Sequence, residues 1–574
     1  SPVSAAPSEV ARPVVELAAA LWAGMGGSAP RRPVAPPLPD VLTDPADVAA
    51  ATADGPVPQS PADHGSVSQH PVDHSSVHRS PGPHGPVHHS PAPHGPAPHG
   101  LTPAGTAPGG AAGDWAVGLG LLDVPDEQRL SDLTWRPGSD GHLALMGTGS
   151  GDAACTMSRA LQELLVHPTE CHLYVLDADG SLAGLAGAPR TGSLVSLNDL
   201  RRGVRVLERL AAEVSQRLSR LPAGSGPPLV LAISGWGSWL SALRSGPLTR
   251  AEDHVQDIVR DGRPAGVTVL ISGDRELTTS RFFPAIPNRV YCPRDASAES
   301  RLTWPKMPDL PPIPGRGIAS GPLCAGQQRV CQLYAPGTGG AAPERGTAPG
   351  EALQGPVRVK PFRVDPLPAR LSVAEVLARM SGTVPLLTAA RDLVVGMGGD
   401  EPAPASVRLR GGAVLAVLGS AGSGKSSFLA SLPVLNPSLS GWVRPCPERN
   451  PADFWTHVHR DAVEGRLPRD AFLLVDDADL LPPASHQHLA DLNSRGCAVI
   501  FSAAFSQSLV QRVPLSLAAR SGGKGILIAP RTPLDGDIFG LRIEPDSHPP
   551  PGRALLVADG TALPVQLAIA EECN

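Results

Sequence analysis

From Trp115 onward, short apolar runs alternate with stretches whose apolar residues fall on one helical face. His142 to Met146 predicts a buried strand, Ala153 to Leu165 a helix, and His172 to Leu176 a second strand. Leu200, Val204, Leu207, Ala211, Val214, Leu218 and Leu221 then recur at steps of four and three, the spacing of one apolar face on a long helix. Leu229 to Ile233 and Val267 to Ile271 predict further strands with a helix between them. Strand–helix alternation of this kind is the grammar of a parallel α/β sheet. It halts at a Gly/Pro/Ala-rich break, Ala335 to Gly355, and then resumes.

The two halves rhyme. Gly118-Leu119-Gly120 with Asp123 precedes the first set of strands, as Gly396-Met397-Gly398-Gly399 with Asp400 precedes the second. Pro314-Gly315-Arg316 followed by Cys331-Gln332-Leu333 closes one half, and Pro551-Gly552-Arg553 followed by Val565-Gln566-Leu567 closes the other. Two tandem copies of one α/β module are the economical reading.

The chain has 574 residues, enough for two to four domains, but its 66 Pro and 62 Gly against 3% aromatic residues require a large part to lie outside any packed core. Gly55 to Gly113 supplies it, with repeats such as Ser80-Pro81-Gly82-Pro83-His84-Gly85 that bury nothing, so a disordered Pro/His/Gly-rich segment is expected there. Its histidines lack the fixed geometry of a metal site and read as solvated linker. The expected organisation is a linker and exit from a preceding module over 1–54, the disordered segment over 55–113, a module over 114–334, a linker over 335–364 and a second module over 365–574.

A net charge of −6, with only four lysines, disfavours a protein that grips duplex DNA along its surface. Eight cysteines without a C-x-x-C pair read as buried free thiols of a reducing compartment. The best membrane-span candidate, Pro13 to Met25, is short and interrupted by Glu16, and no signal peptide is present. A first residue of Ser1 suggests a piece of a longer chain.

The chemistry lies in the second half. Gly419-Ser420-Ala421-Gly422-Ser423-Gly424-Lys425-Ser426 matches the phosphate loop G-x-x-x-x-G-K-[ST] between an apolar run, Ala413 to Leu418, and a helix expected to open at Ser426. Its glycines let backbone N–H groups face phosphates, Lys425 brings positive charge to the β/γ positions, and the Ser426 hydroxyl can reach Mg²⁺. A nucleoside triphosphate is the expected ligand. Ala471 to Val475 is a buried-strand run ending in Asp476-Asp477, where such a site needs one carboxylate for Mg²⁺ and another to orient the attacking water. The metal role falls to Asp476 and the water role to Asp477; an ordinary acidic turn would leave their pairing with Lys425 unexplained. Ser502, ending the run from Ala498, either senses the γ-phosphate or caps the following turn, and the sequence leaves both open.

In the first half the loop is Gly147-Thr148-Gly149-Ser150-Gly151-Asp152-Ala153, one residue short, with Asp152 at the lysine position and Ala153 at the hydroxyl position. An anion in place of a cation near phosphate turns attraction into repulsion, about 4 kcal/mol at an effective dielectric near 20. Ser234-Gly235-Trp236 likewise supplies no carboxylate after the run Leu229 to Ile233. The first module is expected to be a pseudo-ATPase and the second to bind and hydrolyse ATP.

These residues resemble the FtsK/SpoIIIE ATPases, and within them the EccC-type motors of actinobacterial type VII secretion. The likeness rests on Gly120-Leu121-Leu122-Asp123-Val124-Pro125-Asp126-Glu127-Gln128, on Gly235-Trp236, on Gly419 to Ser427 with Val475-Asp476-Asp477, and on the two Pro-Gly-Arg closures. It covers about 115–334 and 365–574, plus Pro36-Pro37-Leu38-Pro39-Asp40 as the exit from a preceding module. The resemblance implies two tandem RecA-like P-loop modules with mostly parallel sheets, and Ser427 alongside Ser426 in the nucleotide site. It further implies ring-forming self-association, a membrane-anchored part outside this chain, a place at the cytoplasmic face within a membrane secretion complex, and small secreted helical proteins as substrates. DNA pumping is the rival within the family. The chain reaches Asn574 just after its closing strand, where DNA translocases typically carry a winged-helix reader, so export is expected instead. A regulatory scaffold that binds ATP without turnover is the alternative from another class. An arginine from a neighbouring subunit is expected at the γ-phosphate, with Arg512, Arg520 and Arg531 undistinguished.

Overall fold

The computed structural model describes residues 115–148, 151–220, 226–246, 248–294, 296–335, 357–381, 392–445, 450–546 and 548–570, with parts of 13–48. The Pro/His/Gly-rich segment, Gly149, Ser150, Leu221 and most of the Gly/Pro/Ala-rich break lie outside the described residues.

The first module comprises strands β1 (Val117–Val124), β2 (Arg129–Trp135), β3 (Leu143–Met146), β4 (His172–Asp177), β5 (Thr191–Ser196), β6 (Leu229–Ser234), β7 (Val267–Gly273), β8 (Asn288–Tyr291), β9 (Arg316–Ser320) and β10 (Arg329–Leu333). Its longer helices are α1 (Asp152–Val166), α2 (Leu200–Ser219), α3 (Trp236–Arg244) and α4 (Ala251–Asp261). The sheet order is β2-β1-β10-β9-β8-β3-β7-β6-β4-β5.

The second module comprises β11 (Asp392–Gly398), β12 (Ala403–Arg408), β13 (Val414–Gly419), β14 (Trp442–Val443), β15 (Phe472–Val475), β16 (Ala498–Ala503), β17 (Gly525–Ile528), β18 (Arg553–Ala558) and β19 (Thr561–Leu567), in the order β12-β11-β19-β18-β17-β13-β16-β15-β14. Its longer helices are α5 (Val373–Ser381), α6 (Lys425–Leu435), α7 (Pro451–Val463) and α8 (Pro483–Ser494).

Each sheet has a parallel half, from β8 to β5 and from β17 to β14, and an antiparallel half in which β9, β10, β1 and β2 match β18, β19, β11 and β12. The parallel strands are buried on both faces because helices cover both sides. In the second module Leu415 and Val417 pack with Phe428, Leu429 and Leu432 of α6. Val414, Ala416 and Leu418 point the other way, toward Trp455 of α7 and Leu489 of α8. The first module repeats this: Leu143 and Leu145 face α1, while Ala144 and Met146 face α2, α3 and α4. The equivalence aligns Gly147 with Gly419 at the sheet's edge.

Duplication extends to individual hydrogen bonds. Arg316 Nε donates to Gln332 Oε1 at 2.8 Å, and Gln332 Nε2 donates to the Pro314 carbonyl at 2.7 Å. Arg553 and Gln566 repeat this at 3.1 Å, with Gln566 Nε2 donating to the Pro551 carbonyl at 2.7 Å. The glycine rhyme needs one correction: the ladders pair Gly120 with Leu333 and Gly396 with Leu567, so Gly120 corresponds to Gly396 and not to Gly398. A bulge precedes each of these glycines, and a Cβ on either would stand 2.0 Å from a backbone carbonyl oxygen, of Gln332 or Gln566. Gly396→Ala is therefore expected to destabilise the second module by about 1–3 kcal/mol, since backbone rather than a mobile side chain must give way. Urea melts followed by Trp442 and Trp455 fluorescence, with those of the first module replaced, would check it.

Pro36 to Asp40, expected as the exit from a preceding module, and the described residues as far as Val48 pack on the first module. Leu38, Leu42 and Val48 form a cluster with Leu121, Leu130 and Tyr334. Arg316 Nη2 donates to the carbonyls of Leu38 (3.2 Å) and Pro39 (3.0 Å), as Arg553 Nη2 does to Leu367 (3.4 Å) and Pro368 (3.2 Å). Pro-Leu-Pro thus opens both modules. Part of the expected 335–364 linker is also bound: Phe362 stacks on Tyr174 at 4.2 Å, and the Val364 carbonyl accepts from Arg202 Nε (2.7 Å) and Ser193 Oγ (3.0 Å). Between modules, Arg205 reaches Asp400 and the Gly399 carbonyl, and Arg201 the Pro545 carbonyl.

Candidate functional site

The strand order brings three chain-distant segments side by side. β13 carries the phosphate loop, β16 lies next to it, and β15 lies beyond β16, so Gly419, Ser502 and Asp476 emerge at the same edge of the sheet. Ligands of open α/β sheets bind at this edge, where the strands' carboxyl ends meet the loops.

Gly422 (φ +73°) and Gly424 (φ +90°) take the left-handed backbone that turns the loop into α6. The helix opens at Lys425, one residue before the position expected. Lys425 is 8% exposed, and its Nζ donates to the carbonyls of Gly419 (3.1 Å) and Ser420 (3.2 Å). Ser426 and Ser427 are exposed on the first turn. Ser420, Ala421 and Ser423 complete the loop, the last with a buried Oγ that has no partner among the described residues.

Asp476 is exposed and Asp477 half-buried. Asp477 sits at φ +43°, ψ +53°, a left-handed conformation that Asp tolerates better than most residues. Burial, with the neighbouring Asp476 charge second, pushes the Asp477 carboxyl above the usual carboxylate range, while Lys425 pulls it back. Ser502, 0% exposed, donates to Asp476 Oδ1 at 2.6 Å and accepts the Asp477 backbone N–H at 2.8 Å. The structure thus brings Lys425, Asp476, Asp477 and Ser502 to one edge.

The arginines fare differently. Arg520 is exposed and lines a cavity of about 420 Å³ with Leu418, Phe505, Leu509, Leu534 and Ile538. Arg512 and Arg531 are exposed and are not lining residues, although Arg531 donates its backbone N–H to Asp535, which is one. The cavity was not read from the sequence, although Phe505 and Leu509, apolar residues just beyond a strand's end, were the available signal.

The first module has the same frame with different groups. Asp152 opens α1 as Lys425 opens α6, is 6% exposed, and lies 3.9 Å from Arg294. Gly235 (φ +66°, ψ +55°) occupies the left-handed position of Asp477, so Ser234 stands where Asp476 stands. The Gly235 N–H donates to Ser272 Oγ at 3.1 Å, the counterpart of the Asp477–Ser502 bond. A cleft of about 650 Å³ at this edge is lined by Thr148, Ser238, Ser241, Asp274 and Glu276 among others, without Lys or Arg among the described residues.

This is the fold of a tandem P-loop ATPase. No family profile and no curated protein matches the sequence. Among solved structures, the chain is similar to ATPases 2 and 3 of EssC from Geobacillus thermodenitrificans at 18% identity and TM-score 0.58, covering 81% of this chain and 98% of that one. It is similar to Thermomonospora curvata EccC, ATPases 2 and 3, in complex with a signal sequence peptide, at 18% identity and TM-score 0.54, covering 81% and 95%. The whole cytoplasmic domain of that type VII secretion ATPase matches at 18% identity and TM-score 0.54, with 80% of this chain and 60% of that one covered. The two modules therefore share the fold of paired EssC/EccC ATPase modules. Among the described residues, no helix is long and apolar enough to cross a membrane.

Proposed function

We propose that the chain is part of a protein-export motor of the type VII secretion kind, in which the second module binds and hydrolyses ATP and the first does not. The convergence of Lys425, Asp476 and Asp477 at one sheet edge, against Asp152, Ser234 and Gly235 at the other, carries this reading. Gly419 to Ser427 cradle the triphosphate, and Lys425 exchanges its two carbonyl partners for β/γ oxygens. The donor set suits Mg²⁺, a hard cation that takes oxygen ligands: Ser426 offers an exposed hydroxyl, and Asp476 an exposed carboxylate whose Oδ1 alone is engaged. Mg²⁺, when bound, neutralises charge on the transferring phosphoryl group. Asp477, its proton affinity raised, orients the attacking water.

In this reading the first module retains the fold for packing or regulation. The partners are further copies of the motor in a ring, a membrane secretion complex at the cytoplasmic face, and small helical proteins carrying a signal tail. The complex of EccC with a signal sequence peptide supports the last of these. Turnover by the full chain should rise with a substrate tail peptide and stay unchanged with duplex DNA; salt-sensitive stimulation by DNA would instead make it a DNA translocase.

A further inference from the structure

Ser502 stands where a hydroxyl could read the γ-phosphate, but its hydrogen bonds are committed elsewhere. Its single proton goes to Asp476 Oδ1 at 2.6 Å, and its oxygen accepts the Asp477 N–H at 2.8 Å. With 0% exposure and one proton, Ser502 cannot donate to a phosphate without releasing Asp476. We propose that Ser502 is a positioning residue that holds the Asp476 carboxylate and the left-handed Asp477 turn in the geometry that receives Mg²⁺, rather than a phosphate sensor.

The first module supplies an internal control. Ser272 there accepts the Gly235 N–H at 3.1 Å from the same strand position, although Asp477 and Asp476 have become Gly235 and Ser234. The backbone half of the arrangement survives where no carboxylate remains to be used, so the hydroxyl serves the turn independently of phosphate. In the second module the same hydroxyl gains the carboxylate through Oδ1, which leaves Asp476 Oδ2 available to a metal.

The inference rests on the second module holding Mg-ATP, so two readouts are needed on the full chain. In Mg²⁺ titrations of fluorescent ATP-analogue binding, Ser502→Ala should raise the half-saturating Mg²⁺ concentration about tenfold or more, as loss of a partner to a metal ligand does. Adding it to Asp476→Asn should cause no further shift, because both remove one arrangement; Ser502→Thr should restore the wild-type titration. An unchanged Mg²⁺ requirement with lost discrimination between ATP and ADP would overturn the proposal in favour of sensing. Independently of nucleotide, Ser502→Ala should speed exchange of the Asp477 amide about tenfold, and Ser272→Ala that of Gly235. Unchanged exchange at Asp477 would overturn it even if the wild-type chain bound no nucleotide, a result that would count against the ATPase reading instead.

Discussion

Calorimetry on the full chain is expected to return one ATP per chain, and Lys425→Ala to raise its Kd at least about thirtyfold. Lys425 is nearly buried, so its ammonium meets phosphate in a site with little competing water, and its two carbonyl partners lie in the same loop. Removing one member of such a charge-assisted pair costs about 2–5 kcal/mol, roughly a thirty- to several-thousand-fold rise in Kd. The first module should contribute nothing, because a buried carboxylate occupies the equivalent position. Asp152→Lys should not awaken it: the loop is still a residue short, Ala153 still lacks the hydroxyl, and Ser234 and Gly235 still lack carboxylates. Two equivalents of bound nucleotide, or wild-type affinity in Lys425→Ala, would dismantle the division between modules.

The difference in residue types between the two sites was readable because strand patterns fix the positions at which they stand. Val414 to Leu418 and Phe472 to Val475 are unbroken apolar runs, as strands buried on both faces must be, so their ends could be located and the residues beyond them compared. The antiparallel halves were less legible. β2 mixes buried with partly exposed positions, and β14 is two residues long, so neither yields a strong run. The glycine rhyme was offset by two because both runs carry glycines two apart, and only the ladder partners, Leu333 for Gly120 and Leu567 for Gly396, fix which of them correspond. The contact of Leu38, Leu42 and Val48 with the first module was not legible, because a long Pro/His-rich segment separates them from the β1 strand they pack on and sequence distance gives no hint of the Arg316 clamp. Ser502 could not be resolved from sequence, since its role depends on which neighbour its one proton reaches.

Asp477→Asn is expected to separate binding from turnover, lowering the hydrolysis rate by about 10²–10⁴-fold while ATP remains bound. An amide keeps the side chain's size and the tolerance for the left-handed backbone at φ +43°, which Ala would lose, so the effect isolates the carboxylate. The wild-type pH dependence follows from the same group. Burial and Asp476 raise its pKa in the nucleotide-free chain, so its charge there is lost as pH falls through a value above the ordinary aspartate range. The stability sign is opposite to that of a paired aspartate. A carboxyl that binds its proton more tightly folded than unfolded costs stability while ionised, and the cost lifts as pH falls through the raised value. Asp477→Asn should therefore raise the melting temperature of the nucleotide-free second module at neutral pH, by about 2–4 °C for each kcal/mol relieved in a domain of this size. A variant that loses turnover but melts lower would mean that the carboxylate supports the turn instead of straining it, and would assign the lost rate to a collapsed site.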